Sequence, residues 1–167
     1  MRFIEFYQIQ FQILAYVGVA MLLGAAIGLE REIEDKPAGL RTHMLVAGAA
    51  ALLVALSDVM VRHFNSGLGS ELVQSDPVRI IDAVITGVSF LGAGTIIRRS
   101  SIRHVEGLTT AASILFAAAV GVCVALSQLV LAVGATVLVL VTLRGLGFVE
   151  YRLEQRENDR ERPGARE

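Results

Sequence analysis

This sequence of 167 residues has few of the features that mark a soluble or catalytic protein. Charged residues make up 19% of it, against roughly 25% in soluble domains. The single cysteine, Cys123, excludes an intramolecular disulfide. We find no P-loop lysine, dinucleotide fingerprint, metal-ligand cluster or nucleophile–base pairing, so the sequence predicts neither an enzyme nor a cofactor. A formal net charge of −1 gives no reason to expect nucleic-acid binding.

Apolar residues, by contrast, are 54% of the chain and fall into five long runs. A helix needs roughly 20 apolar residues, with a range of about 17–25, to cross a hydrocarbon core. Helices buried in a soluble protein would keep polar faces, and these runs leave almost none. The sequence therefore predicts an all-α integral membrane protein without a signal peptide, and a charged tail at 150–167 after a transmembrane domain at 1–149. Its five predicted transmembrane helices are 11–29, 43–61, 80–97, 108–126 and 129–148.

Lysine and arginine are distributed unequally between the two ends of these helices. Twelve of them lie in the turns 30–42 and 98–107 or from position 144 onward, and three lie at the other end. Because basic residues concentrate on the cytoplasmic side of membranes, we expect the N-terminus outside and the C-terminus in the cytoplasm.

The chain also contains a weak internal repeat. Residues 24–56 align without a gap onto residues 92–124, an offset of 68, with ten identities in 33 positions. The repeat predicts that spans one and two, and spans three and four, form two parallel hairpins, with spans one and three close at the centre and span five outside. Small residues permit close helix packing, and self-association is the alternative reading of the same pattern. The predicted packing glycines are Gly24, Gly28, Gly87, Gly92 and Gly94.

Two carboxylates fall at membrane depth near the predicted outer end, Asp58 and Asp82. An ionisable residue inside a membrane is a functional candidate by default. Asp82 shares one helix face with Thr86 and Ser89, which suggests a cation path, although interfacial placement or pairing with Arg79 explains the acids equally well. Asp58 and Asp82 are therefore the candidate metal ligands of a transport hypothesis, too few for an octahedral magnesium site by themselves.

The predicted inner side is richer in polar residues. Glu30 ends span one, where it is placed to accept hydrogen bonds from a helix start or to pair with Arg41 or Arg103. Two interpretations remain open: a ring of ion pairs that tethers the hairpins, or a docking site for an anion or a partner protein. The predicted caps of spans two and four are Thr42 and either Thr109 or Thr110.

Five motifs resemble, in order and spacing, the MgtC/SapB family of bacterial inner-membrane proteins over residues 13–147. They are GAAIGLERE (24–32), AGLRTHMLV (38–46), DPVR (76–79), GVSFLGAG (87–94) and EGLTTAAS (106–113). The resemblance implies a multi-pass protein of the bacterial cytoplasmic membrane, in contact with lipid, that serves growth at low magnesium and survival or virulence inside host cells. It also implies binding to other membrane proteins, including the ATP synthase. The functional residues it implies are Glu30, Arg41, Thr42, Asp76, Arg79, Gly92, Gly94, Thr109 and Thr110.

The sequence departs from the family pattern in three places. Asp82-Ala83 stands where a small residue and glutamine are usual, and Leu115 stands where many members have tryptophan. Many members continue into a cytoplasmic regulatory domain, so we expect a short form that has only the transmembrane domain. The leading hypothesis is a non-enzymatic membrane regulator, with a homo-oligomer left open, and the alternative is a transporter or channel for magnesium or another divalent cation.

Overall fold

The structure is a computed structural model that describes residues 2–68, 77–98 and 105–161. It confirms the predicted all-α class, because five helices account for nearly all of the described chain. The helices are α1 (Arg2–Ile33), α2 (Leu40–Leu68), α3 (Pro77–Ala93), α4 (Leu108–Ala125) and α5 (Leu129–Glu161). Two strands of two residues each, β1 (Ile97–Arg98) and β2 (Val105–Glu106), lie between α3 and α4.

Three of these helices are long and apolar enough to cross a membrane: Tyr7–Ile33 of α1, Leu40–Val61 of α2, and all of α4. The apolar part of α5, Leu129–Gly145, is shorter. α3 has 17 residues and carries both Arg79 and Asp82. The structure thus agrees with a helical membrane protein, while membrane crossing by α3 and α5 stays a prediction.

The connection between α3 and α4 differs from the prediction that span three continues to 97. α3 ends at Ala93, where the backbone N–H and the hydroxyl of Thr95 both donate to the carbonyl of Gly92, at 2.9 and 2.7 Å. The chain then enters a two-residue antiparallel ladder, in which Ile97 pairs with Glu106 and Arg98 with Val105. A ladder this short is not visible in hydropathy, because it contains less than two periods of alternation.

Three helices extend beyond their predicted ends, and α1 does so by four residues, to Ile33. α2 continues to Leu68, into the stretch 62–79 expected to be a loop, and residues 69–76 lie outside the described chain. α5 continues to Glu161 through the charged tail, where arginines stand four residues apart at 152, 156 and 160, a spacing of like charges that weakens a helix. No glycine or proline interrupts 149–161, and glutamate, arginine and leucine are good helix formers. Helix propensity therefore outweighs charge repulsion there.

The helix starts support the repeat. α2 begins at Leu40 and α4 at Leu108, 68 residues apart. Both helices thus begin earlier than the predicted threonine caps. The cap of α4 is Gly107, which has a left-handed backbone (φ 93°) and makes no side-chain hydrogen bond. A Cβ there would collide with the carbonyl oxygen of Thr95, so glycine suits this position in conformation and in space.

The centre of the bundle is α4, which contacts each of the other four helices. Its buried residues are mostly small: Thr110, Ser113, Ile114, Ala117, Ala118, Val120, Gly121 and Val124. α1 and α3 share no extensive contact within the described chain, so the prediction that spans one and three form the centre is wrong. Alanine-rich α2 and α4 pack against each other instead. α5 packs on α4 and α1, which agrees with the predicted position of span five at the outside of the bundle.

Three of the five predicted packing glycines face another helix, and Gly87 and Gly94 do not. A Cβ on Gly24 would lie 2.5 Å from the carbonyl oxygen of His43, and one on Gly28 would lie 2.7 Å from the Cα of Leu40. Gly92 faces Ala111 in the second hairpin, 68 residues beyond the Gly24–His43 contact. Gly94 lies in the turn after α3, and a Cβ on Gly87 would meet nothing within 4 Å. Gly87 therefore makes no close helix contact among the residues that the structure describes.

Candidate functional site

Five polar side chains are buried together where α1 ends and where α2 and α4 begin. We call them the polar cluster: Glu30, Arg31, His43, Thr110 and Ser113. The described residues contain no buried side-chain nitrogen or oxygen without a hydrogen-bond partner. The fully buried side-chain atoms of the cluster therefore all have hydrogen-bond partners, and its low exposure makes it an internal structure rather than an open cleft.

Glycines on α1 create the space for this cluster. Because Gly28 has no side chain, Gly39 and Leu40 at the start of α2 pack directly against α1. His43 lies one turn further along α2 and is fully buried, with 0% of its surface exposed. Its ring reaches α4, so one side chain lies at the junction of α1, α2 and α4.

His43 is the centre of a chain of three hydrogen bonds. Its Nδ1 lies 2.8 Å from the carbonyl of Gly39, and its Nε2 lies 2.9 Å from the hydroxyl of Ser113. The Ser113 hydroxyl in turn donates to the carbonyl of Thr110 at 2.8 Å. Both ends of this chain are carbonyl acceptors, and the tautomer of the His43 ring decides which of its two nitrogens donates.

The contact between His43 and Ser113 has the geometry of a base beside a nucleophile, which the sequence did not reveal. Both side chains are buried, at 0% and 3% exposure, so no substrate reaches the hydroxyl. The pair instead joins the two hairpins. The two residues are 70 positions apart, and the only sequence signal was that each stands within a quoted motif, AGLRTHMLV or EGLTTAAS.

Within the described residues, Glu30 pairs neither with Arg41 nor with a cation of the second hairpin. It forms a two-pronged ion pair with its neighbour Arg31, with Nε to Oε2 at 2.5 Å and Nη2 to Oε1 at 2.7 Å. Both side chains are about 4% exposed. Arg41 is exposed, and Arg103 lies outside the described residues. Adjacent residues on α1 thus neutralise each other, and the link between hairpins is His43–Ser113.

Glu32, rather than Glu30, accepts from the start of a helix. Its Oε2 lies 2.7 Å from the backbone nitrogen of Leu40, the first residue of α2. This bond satisfies one of the N–H groups that a helix start leaves without an internal partner, and the carboxylate charge suits the helix dipole. The turn 32–37 is exposed throughout, as are Arg41 and Thr109. We call these residues the turn surface.

The other residues expected from the motifs occupy varied environments. Thr42 is half-buried in the first turn of α2, while Thr110 is buried and its carbonyl accepts from Ser113. Arg79 is exposed on α3, and Asp76 lies outside the described chain. The structure therefore brings Glu30 and Thr110 into the polar cluster and distributes the rest elsewhere.

Asp58 lines a cavity of about 670 Å³ at the opposite end of the bundle. Tyr16 and Ser127 line the same cavity and are hydrogen-bonded to each other at 2.8 Å. Asp82 is not part of the lining, so the two candidate metal ligands do not share this cavity. Among the described residues, no three side chains of His, Cys, Asp or Glu come together as a metal site would require.

The model of the MgtC family matches residues 17–152 of this chain. Three curated relatives are the "Putative magnesium transporter YhiD" of Escherichia coli K12 (37% identical, 81% of this chain and 60% of the relative), Protein SapB of Bacillus subtilis (40%, 65% and 45%) and Protein MgtC of Salmonella typhimurium LT2 (40%, 72% and 46%). The chain spans about half the length of the curated relatives it matches. No solved structure matches it significantly.

Proposed function

Because the chain belongs to the MgtC family, we propose that it is a non-enzymatic regulator of the bacterial inner membrane that binds other membrane proteins through its turn surface. Adaptation to low magnesium or to life inside host cells is its proposed setting. The ATP synthase is the partner that the family resemblance suggests.

The observation that supports this role is the contrast between the polar cluster and the turn surface above it. The cluster is buried, and none of its fully buried side-chain atoms lacks a hydrogen-bond partner, which suits a structural support rather than a reaction site. The turn surface is charged and exposed, with Lys36 and Arg41 as its cations and Glu32, Glu34 and Asp35 as its acids. Asp35 has a left-handed backbone (φ 51°), which a defined turn holds in place. A preformed charged turn on a packed base suits protein binding.

The orientation of the chain decides whether the turn surface faces the cytoplasm, as we propose. We expect Gln128→Cys, in the exposed turn between α4 and α5, to react with an impermeant thiol reagent on intact cells. Lys36→Cys should react only after the membrane is opened, because basic turns stay on the cytoplasmic side. Both variants carry Cys123→Ala, and that parent is the control. Reaction of both positions from one side contradicts the topology.

Partner binding at the turn surface is tested with a photo-crosslinking amino acid at position 36 in native membranes. We expect adducts with integral membrane proteins, identified by mass spectrometry, and at least a fivefold loss of them when Arg41→Ala is added. Because Arg41 is exposed, this change should leave the melting temperature in detergent unchanged. A crosslinker at exposed Leu138 of α5 is the matched control. Equal adducts with and without Arg41→Ala contradict the proposal.

Cation transport is a second candidate, supported by the name of the Escherichia coli relative and by Asp58 in its cavity. It conflicts with the apolar middle of α4, since residues 114–124 contain no charged, amide or hydroxyl side chain that could line a path through the membrane. We expect liposomes that contain the purified protein and liposomes without it to take up magnesium at equal rates. Uptake that requires the protein and is slowed by Asp58→Asn supports transport instead of regulation.

A further inference from the structure

The cavity beside Asp58 lies between α1, α2, the start of α3 and the turn after α4. Its volume of about 670 Å³ falls in the range of sites that hold a small organic molecule. Much of its wall is apolar, and isoleucines of α1 and α3 form part of it: Ile9, Ile13, Ile80 and Ile81. A few polar groups interrupt this wall, and their chemistry indicates what the cavity can hold.

The first polar feature is a hydrogen-bonded group of three side chains. The amide of Gln12 donates to the Tyr16 hydroxyl at 2.8 Å, and that hydroxyl lies 2.8 Å from the hydroxyl of Ser127. The amide and the two hydroxyls carry four hydrogens between them, and these two bonds use two. Within the described chain no other acceptor takes the remaining two. They can therefore be donated to an oxygen of a bound molecule.

The second polar feature is the carboxylate of Asp58. Among the described residues that line the cavity, Asp58 is the only acid, and no lysine or arginine lines it. Asp58 already takes part in an interaction within the chain, but a carboxylate has about four lone-pair sites and accepts more than one hydrogen bond. A cationic donor placed there gains a charge-assisted hydrogen bond. The cavity thus complements a molecule that has both acceptor oxygens and a cation.

Asp58 lies beyond the end of α4. α2 and α4 run side by side in the same direction, because His43 is bonded to Ser113 and, further along both helices, the carbonyl of Ala47 lies against Gly121. α4 ends four residues after Gly121, whereas Asp58 follows Ala47 by 11 residues. Asp58 is therefore about seven residues past the end of α4, or roughly 10 Å at 1.5 Å per residue.

The hydrogen-bonded group begins at the end of α4 itself. Ser127 is two residues after Ala125, the last residue of α4, and it is bonded to Tyr16. The 18 residues of α4 make about 27 Å of helix, close to the roughly 30 Å thickness of a hydrocarbon core. The two hydroxyls therefore lie at the edge of the hydrocarbon, with Gln12 one turn further out and Asp58 at the depth of the lipid headgroups.

We propose that this cavity binds the headgroup of a phospholipid that carries a primary ammonium. Outward from the hydrocarbon core, such a lipid presents its ester and phosphate oxygens first and its ammonium last. The donors and the carboxylate of the cavity follow the same order, whereas a free organic amine has no phosphate to accept from the donors. The isoleucines would flank the first part of the acyl chains.

This site requires α1, α2 and α4 to cross the membrane. It is compatible with either orientation of the chain, because the order of groups in a lipid is the same in both leaflets. It also lies at the opposite end of the bundle from the turn surface, so it does not depend on the proposed regulatory function.

Native mass spectrometry of the purified protein in mild detergent tests the site, with phosphatidylethanolamine and phosphatidylglycerol as probes. The dissociation constant should be at least about fivefold lower for phosphatidylethanolamine, since only its headgroup offers Asp58 a cationic donor. Asp58→Asn should make the two constants equal. Asp82→Asn, which removes an acid outside the cavity, is the matched control and should keep the preference. Equal constants in the parent protein, or a preference that survives Asp58→Asn, overturn the proposal.

A second variant and a third probe separate a lipid from a free amine. Gln12→Leu should raise the constants of both lipids at least about twofold, because it removes a donor to the phosphate that they share. Gln12 is exposed, so the melting temperature should be unchanged. Octylamine carries the ammonium without a phosphate and should bind more weakly than phosphatidylethanolamine. Octylamine that binds as tightly, or lipid constants that Gln12→Leu leaves unchanged, overturn the assignment to a lipid.

Discussion

Replacing Arg31 with methionine should destabilise this protein more than any other single change considered above. Methionine keeps much of the length of the side chain but leaves the Glu30 carboxylate buried without its cation. Breaking a buried ion pair by removing one partner costs about 3–5 kcal/mol. For a domain of this size that corresponds to a fall of roughly 6–20 °C in melting temperature. Thermal melts in mild detergent provide the measurement.

The matched control for Arg31→Met also removes the Glu30 charge that this variant leaves unpaired. We expect the double variant Glu30→Gln, Arg31→Met to recover most of the lost melting temperature, since an amide is far less costly to bury than a carboxylate. Glu34→Gln is a second control, because its side chain is exposed in the turn after α1. If Arg31→Met melts with the parent, the ion pair does not stabilise the junction of α1, α2 and α4.

Gly121→Leu should have the second largest effect. Even a Cβ on Gly121 would collide with the carbonyl oxygen of Ala47, so α4 and α2 must separate. That obstacle is backbone and cannot rotate away as a side chain would. Overpacking of this kind costs about 1–3 kcal/mol, and the contact lies in the most heavily packed pair of helices around α4. We expect a lower melting temperature and earlier aggregation on heating in detergent.

Gly134→Leu is the matched control, because it makes the same substitution in the neighbouring helix α5. A Cβ there meets nothing within 4 Å, and leucine is the better helix former. Its melting temperature should equal or exceed that of the parent. Gly92→Leu should fall between the two, since a Cβ at Gly92 would lie 3.4 Å from that of Ala111. If Gly134→Leu collapses while Gly121→Leu melts normally, the central position assigned to α4 is wrong.

The number, order and approximate bounds of the helices could be predicted from the sequence because hydropathy reports length directly. The fourth predicted span begins at Leu108, as α4 does, although its predicted threonine cap lay one or two residues later, and the repeat offset matches the two starts at Leu40 and Leu108. The close contacts of Gly24 and Gly28 also follow from the sequence, since small residues spaced four apart form one flat strip.

The arrangement of the helices could not be predicted in the same way. Hydropathy in a membrane helix does not distinguish a face that touches lipid from one that touches protein, because both are apolar. Gly121 and Gly87 therefore look alike in the sequence, although one is enclosed and the other open. The His43–Ser113 bond depends on that arrangement, so it was missed together with the central position of α4.

The central position of α4 also determines the order in which the bundle can assemble during synthesis. Chains emerge from their N-terminus, so α1 and α2 meet first, and the Gly24 and Gly28 contacts let them dock as a pair. α3 follows with little to hold it, since most of its contacts within the described chain are with α4. The arrival of α4 then brings Ser113 to His43 and gives both hairpins their common partner. Between those two moments, α3, which carries the Asp82 carboxylate, lacks the helix against which it finally packs.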